Sequence, residues 1–206
     1  MMKSNRMLTA LIVLFIPGVA IALGQSGGAA QPQAGAQPAL SASNKYFTDV
    51  LLLDQDGKSH RLYTDLIKDR IIIVNAMFTT CTSVCPPMNH NMEMIQERLG
   101  DRLGKDVVML SFTVDPATDT PPVMKAYAAK FHARPGWYFL TGKKENLDFA
   151  LRKFGQVIQK PDDHSTIIII GNDRTGLWKK AFGMAKTGAL IEVVETVLND
   201  TAAEVK

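Results

Sequence analysis

Residues 70–87, RIIIVNAMFTTCTSVCPP, decide the fold because they join a strand, a cysteine loop and the start of a helix. Residues 70–78 form a nearly continuous apolar run led by β-branched side chains, which is typical of a strand covered on both faces. Cys81 and Cys85 follow this run, and two prolines then favour the first turn of a helix that ends at Gly100. The order predicts a cysteine loop at one end of a sheet.

The rest of the domain alternates between predicted strands and helices. A small hairpin is predicted over 49–62, strands over 107–114, 137–140, 165–170 and 177–182, and helices over 121–132, 145–154 and 188–198. Alternation of this kind favours an α/β sheet with right-handed crossovers, and the tight turn between the last two strands makes them antiparallel. With the cysteine loop, the pattern predicts a thioredoxin-like central sheet flanked by helices, with an N-terminal β-hairpin extension.

Composition excludes several functional classes. The chain of 206 residues is 46% hydrophobic and 21% charged, which suits one folded domain. Without Lys3 and Arg6 the chain has 21 basic and 20 acidic residues, so its body is nearly neutral. A neutral body gives no electrostatic reason to expect a nucleic-acid partner. Two cysteines are too few for a disulfide scaffold, so we expect them to act as one pair.

The N-terminal segment, residues 1–24, has the features of an export signal or membrane anchor. Lys3 and Arg6 precede an uncharged apolar run of 17 residues over 7–23, which ends in small residues typical of a signal-peptidase site. The run is borderline in length for spanning a bilayer. Either alternative, cleaved signal or retained anchor, predicts a domain that is exported or tethered facing the periplasm or an equivalent extracytoplasmic space.

A tether and a single folded domain are predicted after this segment. Residues 25–44 are rich in Gly, Ala, Gln, Pro and Ser and carry no charge, which is typical of a flexible linker. The folded domain is then expected over 45–206.

The spacing of the two cysteines allows three kinds of chemistry. Residues four apart at a helix start lie on one side, so the sulfurs of Cys81 and Cys85 can converge. Unpaired N–H groups at the helix N-terminus favour the thiolate, which both disulfide exchange and soft-metal binding require. The alternatives are a metal site, a redox pair and a structural disulfide, and the last would constrain the unfolded chain little because its loop is so short.

Four histidines are available as a further ligand, and His164 has the most informative position. It follows the turn-rich residues 160–163 and precedes an apolar strand, so in a thioredoxin-like sheet its loop lies across from the cysteines. An imidazole there would complete a trigonal site of two sulfurs and one nitrogen, suited to copper. The spacing alone leaves His164 open as ligand or turn residue. His60, His90 and His132 have turn or helix contexts without nearby chemistry.

Three further groups receive structural interpretations. Asp119 and Thr120 precede a proline pair and predict a helix cap, with an accessory role near the site as the alternative for Asp115. Met88 and Met92 share one helical stripe and predict core packing rather than a copper relay. Packing roles are also predicted for Trp137 and Trp178.

The sequence resembles the SCO/SenC family of thioredoxin-fold copper chaperones for cytochrome c oxidase assembly. The likeness extends from about Phe47 to Leu198, and its motifs are residues 81–86 (CTSVCP), 113–121 (TVDPATDTP), 137–142 (WYFLTG) and 163–165 (DHS). The resemblance implies that Cys81, Cys85 and His164 are copper ligands. It also implies that the partner is the copper-containing subunit of a respiratory oxidase, and that residues 7–23 are the family's N-terminal membrane anchor or export signal, of which the anchor would associate with the membrane.

The sequence departs from the family at one informative position. Ser83 stands where many members carry an aspartate, which removes a negative charge beside the two sulfurs. The competing interpretation is an exported thiol–disulfide oxidoreductase in which Cys81 and Cys85 act as the catalytic redox pair. A thiol peroxidase is disfavoured because Phe78 occupies the position where its motif requires threonine.

Overall fold

A computed structural model of the protein describes residues 42–157, 160 and 165–201. The predicted export signal, all but three residues of the predicted tether, and His164 lie outside these residues. Within the described part, no helix is both long and apolar enough to cross a bilayer.

The elements follow the predicted order closely. The helices are α1 (Ala42–Phe47), α2 (Cys85–Leu99), α3 (Pro121–Ala129), α4 (Lys144–Lys153) and α5 (Thr187–Leu198). The strands are β1 (Leu51–Leu53), β2 (Ser59–Arg61), β3 (Ile71–Met77), β4 (Val107–Thr113), β5 (Trp137–Leu140), β6 (Ile167–Asn172) and β7 (Leu177–Phe182). A π-helical segment (Leu62–Ile67) follows β2, and a short 3₁₀ turn (Gly100–Arg102) follows α2.

Local differences from the predicted boundaries have identifiable causes. Helix α1 occupies the end of the predicted tether because Phe47 packs against Phe154 and Trp178 from distant parts of the chain. The π-helical segment begins where the hairpin was expected to end, and the carboxylate of Asp49 accepts hydrogen bonds from the backbone N–H groups of Tyr63 and Thr64 in its first turn. Helix α3 ends at Ala129 rather than 132, and His132 has a left-handed backbone with φ of 48°.

The central sheet has the strand order β5-β4-β3-β6-β7. Strands β3, β4 and β5 are parallel, whereas β6 is antiparallel to β3 and β7 is antiparallel to β6. Strands β1 and β2 form a separate antiparallel hairpin. Since Val74 pairs with Ile169 in antiparallel register, the start of β6 lies beside the end of β3. The cysteine loop and the start of β6 therefore lie at the same end of these two strands.

Side chains alternate between two covered faces of this sheet. Ile73, Met77 and Met109 pack with α2, α3 and α5 on what we call the cysteine face, which also contains Cys81 and Cys85. The neighbouring residues of β3 and β4 pack with α1, the π-helical segment and α4 on the opposite face. Burial on both faces explains why β3 reads as a continuous apolar run.

Candidate functional site

The cysteine loop connects the end of β3 to the first turn of α2. Cys85 is the first residue of α2, and Cys81 lies in the loop, where its backbone N–H donates to the carbonyl of Phe78 at 3.2 Å. The backbone N–H of Cys85 donates to the Cys81 sulfur at 3.4 Å. No disulfide joins the two cysteines, and a donor of the helix N-terminus points at one of the two sulfurs.

The two sulfurs differ in exposure and acidity. Burial acts to raise the pKa of Cys81, but hydrogen bonds from the backbone and thiol of Cys85 and from Ser83 outweigh it and lower that pKa. Burial raises the pKa of the Cys85 thiol, and the charges of Cys81 and Asp119 add to the increase. Cys81 is 7% exposed and Cys85 is fully buried. The expectation that both thiolates form easily is therefore wrong for Cys85, because desolvation dominates there.

Asp119 fastens the cysteine loop to the end of β4. Its fully buried carboxylate accepts hydrogen bonds from the backbone N–H of Thr79 at 3.2 and 3.3 Å and from the Thr79 hydroxyl at 2.5 Å. The hydroxyl of Thr113 donates to the same carboxylate at 2.5 Å. Thr79 lies two residues before Cys81, so this carboxylate fixes the approach to the sulfur.

The predicted capping role of Asp119 and Thr120 is not observed. Thr120 is the residue before α3 but makes no side-chain capping hydrogen bond, and Asp119 uses both oxygens on Thr79 and Thr113. The predicted accessory role of Asp115 gains no support, because the hydrogen bonds that it makes within the described residues use its backbone.

A chain of buried polar groups runs through the cysteine face beneath the site. The indole N–H of Trp137 donates to the Ser111 hydroxyl, which donates to Oδ1 of Asn75. The amide N–H of Asn75 donates to Oδ1 of Asn89, and the amide N–H of Asn89 donates to the Tyr127 hydroxyl, with all four distances between 2.7 and 3.1 Å. Burial raises the pKa of Tyr127 to about 12, with Asn89 opposing and the charges of both cysteines and Asp119 reinforcing the increase. The phenol end of the chain therefore lies within electrostatic reach of the cysteines.

Sequence reasoning missed Asp119 and this polar chain. The available signal was Asn75, a polar residue inside an otherwise apolar predicted strand, since a buried amide requires partners. Met88, Met92 and Trp137 are fully buried, which confirms their packing roles. Trp178 also packs, against Phe47 and Phe154, although it is 37% exposed.

The other histidines of the described chain make contacts with carboxylates. His60 is buried and pairs with Asp54 at 2.7 Å. His90 and His132 are exposed and share the two carboxylate oxygens of Glu93. Among residues 42–157, 160 and 165–201, no three Cys, His, Asp or Glu side chains converge as a metal site.

An unequal pair of thiols at a helix N-terminus, where the central strand β3 of this mixed sheet ends, is typical of a thioredoxin-like domain. Comparison with known proteins makes the class specific. The sequence profile of the SCO1/SenC family matches residues 39–199, and the chain belongs to this family.

Individual relatives agree with this assignment. The SCO1 protein homolog of Bacillus subtilis is 35% identical over 118 residues, which cover 56% of this chain and 60% of that protein. The chain spans only about half of a SCO2-like protein of Rickettsia felis, at 49% of its length and 32% identity.

Solved structures share the fold. A SCO1/SenC family lipoprotein from Bacillus anthracis is 29% identical, with a TM-score of 0.62 over 73% of this chain and 94% of that one. BsSco, described as a member of the Sco family of cytochrome c oxidase assembly proteins, is 28% identical, with a TM-score of 0.60 over 73% and 92%. Yeast Sco1, solved with copper bound, is 23% identical, with a TM-score of 0.62 over 76% and 90%. The predicted thioredoxin-like fold is confirmed.

Proposed function

We propose that this protein is a copper metallochaperone that binds one copper ion through Cys81, Cys85 and His164. The observation that carries the proposal is the joint placement of two sulfurs at the start of α2, one of them activated by hydrogen bonds. Thiolate and imidazole donors favour copper over hard cations. Yeast Sco1, which shares the fold, has been solved with copper bound, and this supports copper as the ion.

The sheet register supports His164 as the third ligand. Strand β6 starts at Ile167, at the edge of the sheet where β3 leads into the cysteine loop. His164 lies three residues before this start. Because the three histidines that the structure describes make contacts with carboxylates, His164 is the histidine that the proposal assigns to copper.

The partner in this proposal is the copper-containing subunit of a respiratory cytochrome c oxidase, which receives the ion. The description of BsSco as an oxidase assembly protein supports this assignment. We place the domain outside the cytoplasm, where the basic flank and apolar run of residues 1–24 would deliver it. The lipoprotein character of the Bacillus anthracis relative supports a membrane-tethered location.

Copper stoichiometry tests the three-ligand site. Full-length protein should bind one copper per chain, and Cys81→Ser, Cys85→Ser and His164→Ala should each weaken binding by at least about tenfold. His90→Ala is the matched control, since this imidazole is exposed and bonded to Glu93, and it should bind copper like the parent protein. Full and equally tight binding by His164→Ala would exclude the three-ligand site.

Oxidation provides a second test because copper and a disulfide would use the same two sulfurs. Protein with a Cys81–Cys85 disulfide should take up no copper until a reductant is added. An intact disulfide in fully copper-loaded protein, observed by mass spectrometry, would contradict the shared site.

A second function, thiol–disulfide exchange, is favoured by the inequality of the two cysteines. Cys81 keeps 7% exposure, against none for Cys85, and has a lowered pKa, so its thiolate can attack a partner disulfide and release one partner thiolate, which takes up a proton. Cys85 then loses its proton, attacks the Cys81 sulfur and releases the second partner thiolate. The protein dithiol is oxidised to a disulfide while the partner is reduced by two electrons.

The two functions give different results in one set of variants. Disulfide exchange requires the two cysteines but no histidine. If exchange is the function, His164→Ala should therefore retain disulfide reduction at a rate within about threefold of the parent. Cys85→Ser should trap the mixed disulfide on Cys81. A variant that loses copper but keeps exchange would show that the roles are separable.

A further inference from the structure

A large open cavity lies on the opposite face of the sheet, away from the cysteines. Its volume is about 760 Å³, which is within the range of small-molecule sites. It is formed where α1 and the end of α4 meet strands β6 and β7. Ile169 and Phe154, which line it, belong to the apolar core of the opposite face.

Aromatic rings form the floor of this cavity. Phe47, Phe154 and Trp178 have ring centroids 5.2–6.2 Å apart, and Trp178 remains 37% exposed. Gly171 of β6 allows this arrangement, because a Cβ there would lie 2.3 Å from two indole ring carbons. The indole can therefore lie flat against the sheet, and it leaves an apolar surface open to solvent.

Among the residues that the structure describes, three lysines and no acidic residue line the same cavity. Lys153 places its ammonium 4.5 Å from the ring centroid of Tyr46. The ammonium of Lys180 lies above Gly155, 3.4 Å from the position that a Cβ would take there. Lys179 is the third lining residue, but it alternates along β7 with Trp178 and Lys180 and shares the side of Leu177 and Ala181, which pack with the cysteine face. The ammonium groups at the cavity are therefore those of Lys153 and Lys180, and neither forms an ion pair within the described part of the chain.

We propose that this cavity binds a small amphipathic anion, with an aromatic or alkyl body and a sulfonate, carboxylate or phosphate head. The body would cover the exposed indole of Trp178, and the head would lie between Lys153 and Lys180. Charge complementarity selects an anion over a cation or a neutral molecule, because the described residues of the lining include Lys153 and Lys180 and no carboxylate. The site is separate from the copper proposal, since the sheet lies between them.

A pair of fluorescent probes tests the proposal with the purified full chain. Anilinonaphthalene sulfonate has an aromatic body with an anionic head, and N-phenylnaphthylamine has a similar body without the charge. We expect one saturable sulfonate site per chain. The double substitution Lys153→Gln with Lys180→Gln should raise the Kd of the sulfonate about tenfold and that of the neutral probe less than about twofold.

Matched variants assign the binding to the cavity. Trp178→Ala removes part of the floor and should weaken both probes, whereas the double substitution Lys68→Gln with Lys105→Gln removes the same two charges outside the cavity and should change neither. Thermal unfolding of each variant, with an unchanged transition for the lysine variants, separates lost binding from lost folding.

Two outcomes would overturn the proposal. Equal sulfonate binding by the parent and the double lysine variant would show that the cavity does not select anions. Binding to phosphatidylglycerol vesicles, without saturable binding of the monomeric sulfonate, would make the patch a membrane contact rather than a small-molecule site. Saturable binding of the monomeric sulfonate by protein that does not bind these vesicles would support the small-molecule site.

Discussion

The two faces of the central sheet arise from the same two strands but differ in chemistry. On the cysteine face, β3 and β4 contribute Asn75, Ser111 and Thr113, all fully buried and hydrogen-bonded. On the opposite face the alternate residues of these strands are apolar throughout. Apolar contacts set the spacing between layers, whereas hydrogen bonds also set direction. The comparison indicates that the buried polar groups of the cysteine face orient the residues of a site, whereas the opposite face contributes to stability through apolar packing alone.

The largest effect is expected from Asp119→Ala. Removal of the carboxylate leaves the Thr79 N–H and hydroxyl and the Thr113 hydroxyl without their acceptor in a buried position. We expect the free energy of unfolding to fall by about 3 kcal/mol, measured by urea denaturation.

Asp115→Ala is the matched control, and it should cost less than about 1 kcal/mol because that carboxylate makes no hydrogen bond to any described residue. Equal losses in the two variants would show that Asp119 does not fasten the loop.

The next effect separates the two faces directly. Asn75→Leu leaves Ser111 and Asn89 with unmatched polar groups, while Val74→Ala opens a small cavity on the opposite face. Each should reduce the free energy of unfolding by about 2 kcal/mol. Only Asn75→Leu should change the rate at which iodoacetamide alkylates Cys81, by more than about threefold. A similar rate change in Val74→Ala would remove the distinction between the faces.

The sequence predicted the fold well because its signals are local. The apolar run of β3, the prolines of α2 and the tight turn before β7 each involve neighbouring residues, and their boundaries agree with the structure within a few positions. The cysteine pair was visible for the same reason. The copper assignment of His164 lies outside the described residues and stays a prediction.

The missed features depend on contacts between distant residues. Asp119 reaches Thr79 forty positions away, and local spacing favoured the helix cap instead. The aromatic cavity joins Phe47 to Trp178 across most of the domain. Acidity was also misjudged, since the spacing of Cys81 and Cys85 treats them alike, whereas only the folded structure shows that one is fully buried.

A smaller effect is expected at the end of the polar chain, from Tyr127→Phe. Loss of the phenol leaves the Asn89 amide without this acceptor and should cost about 1 kcal/mol at neutral pH. The pKa of Tyr127 is raised to about 12, so its contribution to stability is present below the unfolded pKa of about 10 and is lost as the pH rises towards 12.

The pH dependence provides the sharper readout for this variant. Between about pH 9 and 11 the parent protein should lose about 1 kcal/mol more stability than Tyr127→Phe. If the stability of the two proteins changed in parallel over this pH range, the phenol of Tyr127 would not be desolvated, contrary to the structure.

The smallest effect concerns the charge beside Cys81. The Ser83 hydroxyl lies 3.8 Å from the Cys81 sulfur, and hydrogen bonds from Ser83 help to lower the pKa of that thiol against the effect of burial. Ser83→Asp replaces this donor with an anion, so the pH midpoint of thiolate formation should rise by about one unit or less. Ultraviolet absorbance of the thiolate in reduced, metal-free protein measures the midpoint. The thiol that ionises first as the pH rises is that of Cys81, since burial raises the pKa of Cys85.

Two control variants separate the effect of the lost hydrogen bond from that of the added charge, and they compare the two faces of the sheet. Ser83→Ala removes the hydroxyl without adding charge, so its smaller rise measures the hydrogen bond alone, and the difference between the variants measures the charge. Ser43→Asp adds the same charge at the cavity of the opposite face and should leave the Cys81 midpoint within about 0.2 units of the parent, because the sheet and its packed layers lie between. A midpoint for Ser83→Asp at or below that of Ser83→Ala would show that loop geometry, rather than charge, governs Cys81.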